Sequence, residues 1–190
     1  MEVKLKDLIL TVDSYLTPEQ VGAIIRTYKK RKFSPARIEE ASGTKAVIDT
    51  KVRNVTETPI FRNEKSMTDT HWFNFLLFKT RGLSQRYCNM HGVEDRPQNM
   101  ENINLLRYEK GGFYDLHTDA SAFNPRQLSV IIFLNNDYKG GALEFRFHNQ
   151  SYKIEPGAGK AIIWPSNFLF PHTALTVEEG VRYALVSWLR

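Results

Sequence analysis

His117 and Asp119 stand two positions apart at the end of the segment Tyr108-Glu109-Lys110-Gly111-Gly112-Phe113-Tyr114-Asp115-Leu116-His117-Thr118-Asp119. In an extended strand, residues i and i+2 point to the same face, so one imidazole and one carboxylate can converge on a point. His172 offers a third ligand late in the chain. Two imidazoles and one carboxylate on one face of a metal, with the other face open, suit non-haem Fe(II) that activates oxygen. The same side chains also bind Zn, so hydrolytic chemistry stays open on ligand type alone. Arg182 opens the last strand-like run, and its planar fork grips a carboxylate with two parallel hydrogen bonds. On a strand it shares a face with Ala184, Val186 and Trp188, where an unpaired charge is costly and an anion is required. A protein carboxylate would serve, and so would a bound dicarboxylate. The small Ala184 leaves room for one, and Tyr108 can add a phenolic hydrogen bond. A metal triad beside a carboxylate clamp points to a metal that holds a small keto acid.

The tripeptide His-x-Asp alone is a weak signal, and Asp119-Ala120-Ser121 also resembles the start of a turn. The combination carries the argument: His172 and Arg182 flank a strand-rich region able to bring distant parts of the chain together. His71, His91 and His148 have no matching partners and are read as structural or exposed.

Thr17-Pro18-Glu19-Gln20 has the signature of a helix start, with Thr17 as cap, Pro18 in the first turn and Gln20 completing a capping box. Val21, Ile24, Ile25 and Tyr28 follow at helical spacing, and the basic run Lys29–Lys32 suits the C-terminal end of the dipole. A second helix is predicted over Thr68–Met90, capped by Thr68, Asp69 or Thr70, with Gly82 as a break. Residues 3–12 predict a first strand, and residues 46–48 and 52–55 short strands. Thr56–Pro59 reads as a turn or loop. From Ile103 onward the pattern becomes short strands: 103–108, 113–117, 128–134, 142–147, 151–154, 160–164 and 181–189. Turn signals such as Gly111-Gly112, Asn124-Pro125, Gly140-Gly141 and Pro156-Gly157 separate them. Many short strands at this spacing predict a double sheet or barrel, covered on one outer face by the helices.

With 190 residues, 42% of them hydrophobic and 25% charged, the chain fits one soluble globular domain with an ample core. We expect a single unit over 1–190, with supporting elements in 1–101 and a catalytic core in 102–190. The single cysteine, Cys88, excludes an intrachain disulfide, no apolar run approaches the ~18 residues of a membrane helix, and a secretory signal is lacking, so a cytoplasmic location is expected. The net charge of +5 allows nucleic acid as a partner without favouring it.

The stretches INLLRYEKGGFYDLHTD, GGALEF, PGAGKAIIWPS and HTALTVEEGVR occur in that order. Together they resemble the prolyl 4-hydroxylase family of Fe(II)- and 2-oxoglutarate-dependent oxygenases. The resemblance covers residues 103–189; the N-terminal half agrees in layout. It implies a mainly β fold with flanking helices, a double-stranded β-helix or jelly roll with the N-terminal helices packed on its major sheet. It implies Fe(II) held by His117, Asp119 and His172, with 2-oxoglutarate and O2 as co-substrates and ascorbate in support. Arg182 would hold the distal carboxylate of 2-oxoglutarate and Tyr108 would hydrogen-bond it. Tyr114, Arg126 and Trp164 would line the substrate groove, and residues 49–63 would correspond to the family's mobile loop. Some relatives carry Ser or Thr beside the co-substrate carboxylate, where this chain has Ala184 or Leu143. The implied activity is hydroxylation of prolyl residues in a protein or peptide, releasing succinate and CO2. The alternatives are oxidation of a free amino acid, a small metabolite or nucleic acid, and a jelly roll that binds metal and 2-oxoglutarate without turnover.

Overall fold

A computed structural model describes residues 4–39 and 45–190. A short 3₁₀ turn over Leu5–Leu8 leads to β1 (Leu10–Val12), α1 (Pro18–Tyr28), β2 (Ser34–Pro35), β3 (Ile38–Glu39), β4 (Ala46–Val47), β5 (Arg53–Asn54), β6 (Thr56–Ile60) and α2 (Met67–His91). The strand-rich half follows: β7 (Ile103–Tyr108), β8 (Phe113–His117), β9 (Leu128–Phe133), β10 (Lys139–Gly140), β11 (Leu143–Phe147), β12 (Gln150–Ile154), β13 (Ala161–Pro165), β14 (His172–Ala174), β15 (Val177–Glu179) and β16 (Arg182–Leu189).

A seven-stranded antiparallel sheet, in the order β1-β13-β9-β16-β7-β6-β2, accompanies a five-stranded one, β12-β11-β14-β8-β5, and together they form the double-stranded β-helix. The major sheet is buried on both faces, which is why β9 is buried throughout and reads as an apolar run interrupted only by Ser129 rather than as an alternation. Period 2 still sorts its side chains. Leu105, Leu128, Val130, Ile132, Ile163, Leu185 and Leu189 join the cluster with Ile24 and Tyr28 of α1 and Leu76 and Leu83 of α2. Leu106, Ile131, Phe133, Ile162, Trp164, Ala184 and Val186 join the second cluster, with Leu143 and Phe145 of the minor sheet. Burying each large aliphatic side chain fully contributes roughly 1.5–3 kcal/mol. The N-terminal elements are part of this frame, since β1, β6 and β2 pair within the major sheet.

The helices follow their local signals. Thr17 accepts from the Gln20 amide at 3.3 Å and its own amide donates to Gln20 Oε1 at 3.0 Å. Asp69, buried in the first turn of α2, accepts from the Tyr28 hydroxyl at 3.1 Å and pairs with Arg31 at 2.6 Å, tying α1 to α2. Part of the basic run after α1 is therefore tied to a buried carboxylate as well as suited to the helix dipole.

The structure corrects several expectations. Ser66 caps α2, accepting from the Asp69 amide at 3.2 Å. Gly82 does not break α2, because an interior glycine costs only about 1 kcal/mol against packing on both sides of it. The helix stops at Gly92, whose φ of 64° is left-handed. Thr56–Pro59 is part of strand β6 rather than a turn. Outside β6 only Thr56 and Glu57 are paired with β2, so the amide that Pro59 lacks is not missed. Residues 53–54 and 56–60 of the expected mobile loop are thus built into the two sheets. The predicted strand 3–12 is a 3₁₀ turn followed by the short β1, with residue 3 outside the described residues. The strands predicted from 103 onward match within a residue or two at their ends.

Candidate active site

β8 and β14 are antiparallel neighbours, with His117 directly opposite His172. Asp119 lies just past the end of β8, and its carboxylate turns back between the imidazoles. His117 Nε2 is 3.7 Å from Oδ1 and His172 Nε2 is 3.4 Å from Oδ2. One ligand atom from each residue lies within 4.8 Å of the others, a group that can hold a metal ion. Each imidazole is held by its other nitrogen: Nδ1 of His117 donates to the Asp115 carbonyl at 2.7 Å, and Nδ1 of His172 to the Phe170 carbonyl at 3.0 Å. Carbonyls only accept, so the proton sits on Nδ1 and Nε2 is left as the ligand atom.

Packing fixes the rings. Tyr114 stacks on His117 with centroids 3.6 Å apart, and Trp164 meets His172 edge-on at 5.0 Å. His172 is 3% exposed, so access is from the His117 side. Burial first, with His117 adding to it, holds the His172 imidazole down at about 4, and Asp119 and the Phe170 carbonyl only partly oppose this. At neutral pH it is uncharged and ready to ligate. Burial alone would raise the Asp119 carboxyl, but His172, His117 and the Ser129 hydroxyl outweigh it and hold the carboxyl well below the usual range.

Two consequences can be checked. As pH falls, the unfolded chain takes up a proton on residue 172 near its ordinary value of about 6.5, while the folded chain resists until about 4. The stabilisation from neutral His172 is thus complete above about 6.5 and lost between there and about 4. Metal-free protein should have a lower urea midpoint at pH 5 than at pH 7, and His172→Gln should flatten that dependence. The second concerns Ser129, whose hydroxyl donates to Asp119 Oδ2 at 2.7 Å and contacts Ser166 Oγ at 2.7 Å. Partners of this kind set ligand orientation at about 10–100-fold in metal affinity. Ser129→Ala should weaken Fe(II) binding by about tenfold in a metal titration without unfolding the protein.

Arg182 faces Tyr108 across β16 and β7 and is 0% exposed. Its guanidinium lies over the rings of Tyr108 and Phe133, at 4.6 and 4.9 Å. Nη1 donates to the Gly141 carbonyl at 2.8 Å, whereas Nε and Nη2 are buried without a partner. Among the described residues no carboxylate forms an ion pair with it. A buried cation with two unused donors fits a carboxylate from outside the protein. The Tyr138 hydroxyl is likewise buried without a partner, and burial pushes it up to about 12 despite nearby Arg182.

The remaining predicted residues border the same space. Tyr108, Tyr114, Trp164, Leu143 and Ala174 line an inner cavity with the triad. Trp164 is its buried floor, with Nε1 unpartnered. Tyr114 and Arg126 lie on the wall of an outer cleft that opens on His117 and Asp119. Arg126 is held by Glu101 through Nε and Nη2, at 3.0 and 2.7 Å, donates from Nη1 to the Asp119 carbonyl at 3.2 Å, and covers Trp188 at 3.7 Å. Ser129, Tyr138 and Arg53 were not singled out in the sequence. A lone serine inside the apolar run LSVIIF was a usable signal for the first; nothing local marked the other two.

A His-x-Asp…His cluster on paired strands of a double-stranded β-helix, with a buried arginine that has unused donors, is an arrangement that suits a non-haem metal site. Residues 103–190 match the model of the 2OG-Fe(II) oxygenase superfamily. Fe(II), 2-oxoglutarate and O2 are the cofactor and co-substrates of that superfamily, and the donor set and the free Arg182 donors fit them. A PKHD-type hydroxylase of Rippkaea orientalis is 26% identical over 202 residues, covering 96% of this chain and 78% of that protein. A PKHD-type hydroxylase of Picosynechococcus is 37% identical over 101 residues, covering 50% of this chain and 44% of that protein, so this match spans less than half of that relative's length. Among solved structures, a Pseudomonas putida prolyl-4-hydroxylase superposes with a TM-score of 0.72 at 19% identity, covering 96% of this chain and 92% of that one. A Trichoplax adhaerens prolyl hydroxylase, solved with a hypoxia inducible factor peptide fragment, gives 0.77 at 18%, covering 96% and 83%. Among the described residues, no helix is long and apolar enough to cross a membrane.

Proposed function

We propose that this chain is one catalytic unit over 1–190, an Fe(II)- and 2-oxoglutarate-dependent dioxygenase that hydroxylates prolyl residues in a protein or peptide. The observation that carries the oxygenase reading is the pairing of the His117-Asp119-His172 cluster with a buried Arg182 that has two unused donors. The prolyl assignment is supported by the prolyl hydroxylases among its structural neighbours, one of them solved with a peptide. The buried free thiol of Cys88 suits a reducing cytoplasm.

In this mechanism His117, Asp119 and His172 would hold the metal, with Nε2 of each imidazole and the Asp119 carboxylate as the ligand groups. Ser129 holds Asp119 in its orientation, and the Asp115 and Phe170 carbonyls hold the imidazoles. Arg182 receives the distal carboxylate of 2-oxoglutarate on Nε and Nη2, with Tyr108 beside it. Bound Fe(II), with 2-oxoglutarate and O2, supplies oxidation of an unactivated C–H bond to an alcohol, with succinate and CO2 as co-products. Trp164, Leu143 and Ala174 exclude water from the inner cavity, which suppresses side reactions. Tyr114 and Arg126 on the wall of the outer cleft orient the target carbon, and orientation is worth several kcal/mol of barrier.

The test is succinate formation by purified protein with Fe(II), 2-oxoglutarate and ascorbate, with and without proline-rich peptides. Peptide-stimulated turnover with a gain of one oxygen on proline is the expected result. Turnover without peptide stimulation would move the substrate to a small molecule or nucleic acid, and stoichiometric iron without any turnover would leave a binding module.

A further inference from the structure

The outer cleft is lined by Arg37, Lys45, Arg53 and Arg126, and the carboxylate among its lining residues is Asp119. Asp119 does not compensate them, because its oxygens face His117, His172 and Ser129. The four cations are not equivalent. Arg126 is neutralised by the two-pronged contact with Glu101. Arg53 has Glu57 at 3.7 Å, and its Nη1 donates at 2.6 Å to the Arg37 carbonyl, beside β3. It also lies over Tyr114, 4.7 Å from the ring, which in turn stacks on His117. Arg53 is thus a buried clasp that fixes the stem of the β3–β4 hairpin against the metal ligands. Glu57 also faces Arg37, so its one carboxylate is shared between two guanidinium groups. Among the described residues the cations of the cleft therefore outnumber the carboxylates beside them, and Arg37 and Lys45 are the exposed ones at the mouth.

We infer that this cleft selects a peptide carrying acidic residues next to the target position, with Arg37 and Lys45 as the specificity-determining contacts. The inference rests on the peptide-hydroxylase reading and deepens it. A cleft with one sign of charge raises the local concentration of opposite charge and repels its own sign. A peptide fits better than nucleic acid, because bases need free aromatic faces to stack on. Here Tyr114 is already engaged by His117 and Arg53, and Trp188 by Arg126. Ile38 and Ala46 on the hairpin add a short apolar strip between the charges, suited to an extended chain.

The experiment measures binding of fluorescein-labelled dodecapeptides to protein loaded with Mn(II) and 2-oxoglutarate, by anisotropy. The probes have a central proline or alanine flanked by Asp/Glu, by Lys, or by Gly/Ser. Exposed charge pairs contribute about 0.2–1 kcal/mol each. Acidic flanks should therefore bind about tenfold tighter than basic ones in 50 mM NaCl, with the gap closing by 300 mM. The double variant R37E/K45E, both substitutions being at exposed positions, should invert the preference while 2-oxoglutarate affinity stays unchanged. Equal affinity for all flanks, or a preference that survives R37E/K45E, overturns the inference. So does tighter binding of a single-stranded oligonucleotide than of the acidic peptide. An acidic preference with no hydroxylation of the proline peptide upholds the charge selection and overturns only the prolyl assignment. Proline hydroxylation without any charge preference does the reverse.

Discussion

Asp119→Ala should abolish stoichiometric Fe(II) binding at micromolar metal and, with it, all succinate formation. The carboxylate is the one anionic ligand of the cluster, and both its oxygens are committed to the site, Oδ1 toward His117 and Oδ2 toward His172 and Ser129. Without it two neutral imidazoles remain, and they bind a ferrous ion far more weakly than a facial set of three. The fold should persist, since Asp119 lies beyond β8 and pairs with no strand. Metal content by atomic absorption and circular dichroism on the same sample separate loss of ligand from loss of structure. Undiminished hydroxylation by the purified variant would sink the triad assignment.

Arg182→Met should act behind Tyr108, which lines the inner cavity, and in two opposite directions. The side chain buries a full charge whose Nε and Nη2 have no protein partner. Losing a buried charge-assisted carboxylate contact costs about 2–5 kcal/mol, so the KM for 2-oxoglutarate should rise on the order of a hundredfold. Replacing a buried, uncompensated cation by an apolar side chain of similar length should at the same time stabilise the ligand-free protein. The expected pattern is a higher Tm without 2-oxoglutarate and a much smaller rise in Tm on adding it. An unchanged KM would argue against the clamp, whatever happens to Tm.

The strands were legible where the chain alternates between turn signals and short apolar runs, whereas the short β10, β14 and β15, among them the strand that carries His172, lack such a run and were not predicted. The helix start at Thr17 was legible because a capping box is a local device, and both its hydrogen bonds are formed. The site residues were legible as types. His117 and His172 could be proposed as partners from chemistry, but their direct pairing across β8 and β14 is a matter of register, which no short window encodes. β6 escaped notice because Pro59 reads as a breaker until its position near the sheet edge is known. Gly82 misled in the same way, since tertiary packing overrides a weak local preference. Arg53 looked like any surface cation. Its burial, its hold on Arg37 and its place over Tyr114 depend on residues far apart in sequence, so only the folded chain reveals the clasp.

The register that sets His117 against His172 bears on how long the fold survives. An ion joining Asp119 to His172 would close residues 120–171 into a loop, and that loop contains β9 through β13. Cross-linking a segment of this length removes chain entropy from the unfolded ensemble, much as a disulfide does, and is worth roughly 3–5 kcal/mol by the same reasoning. For a chain with a single cysteine, the metal then serves as a reversible staple as well as a reagent. Chelation should leave a protein that is inactive and also digested markedly faster by a nonspecific protease, with restored iron returning both properties together.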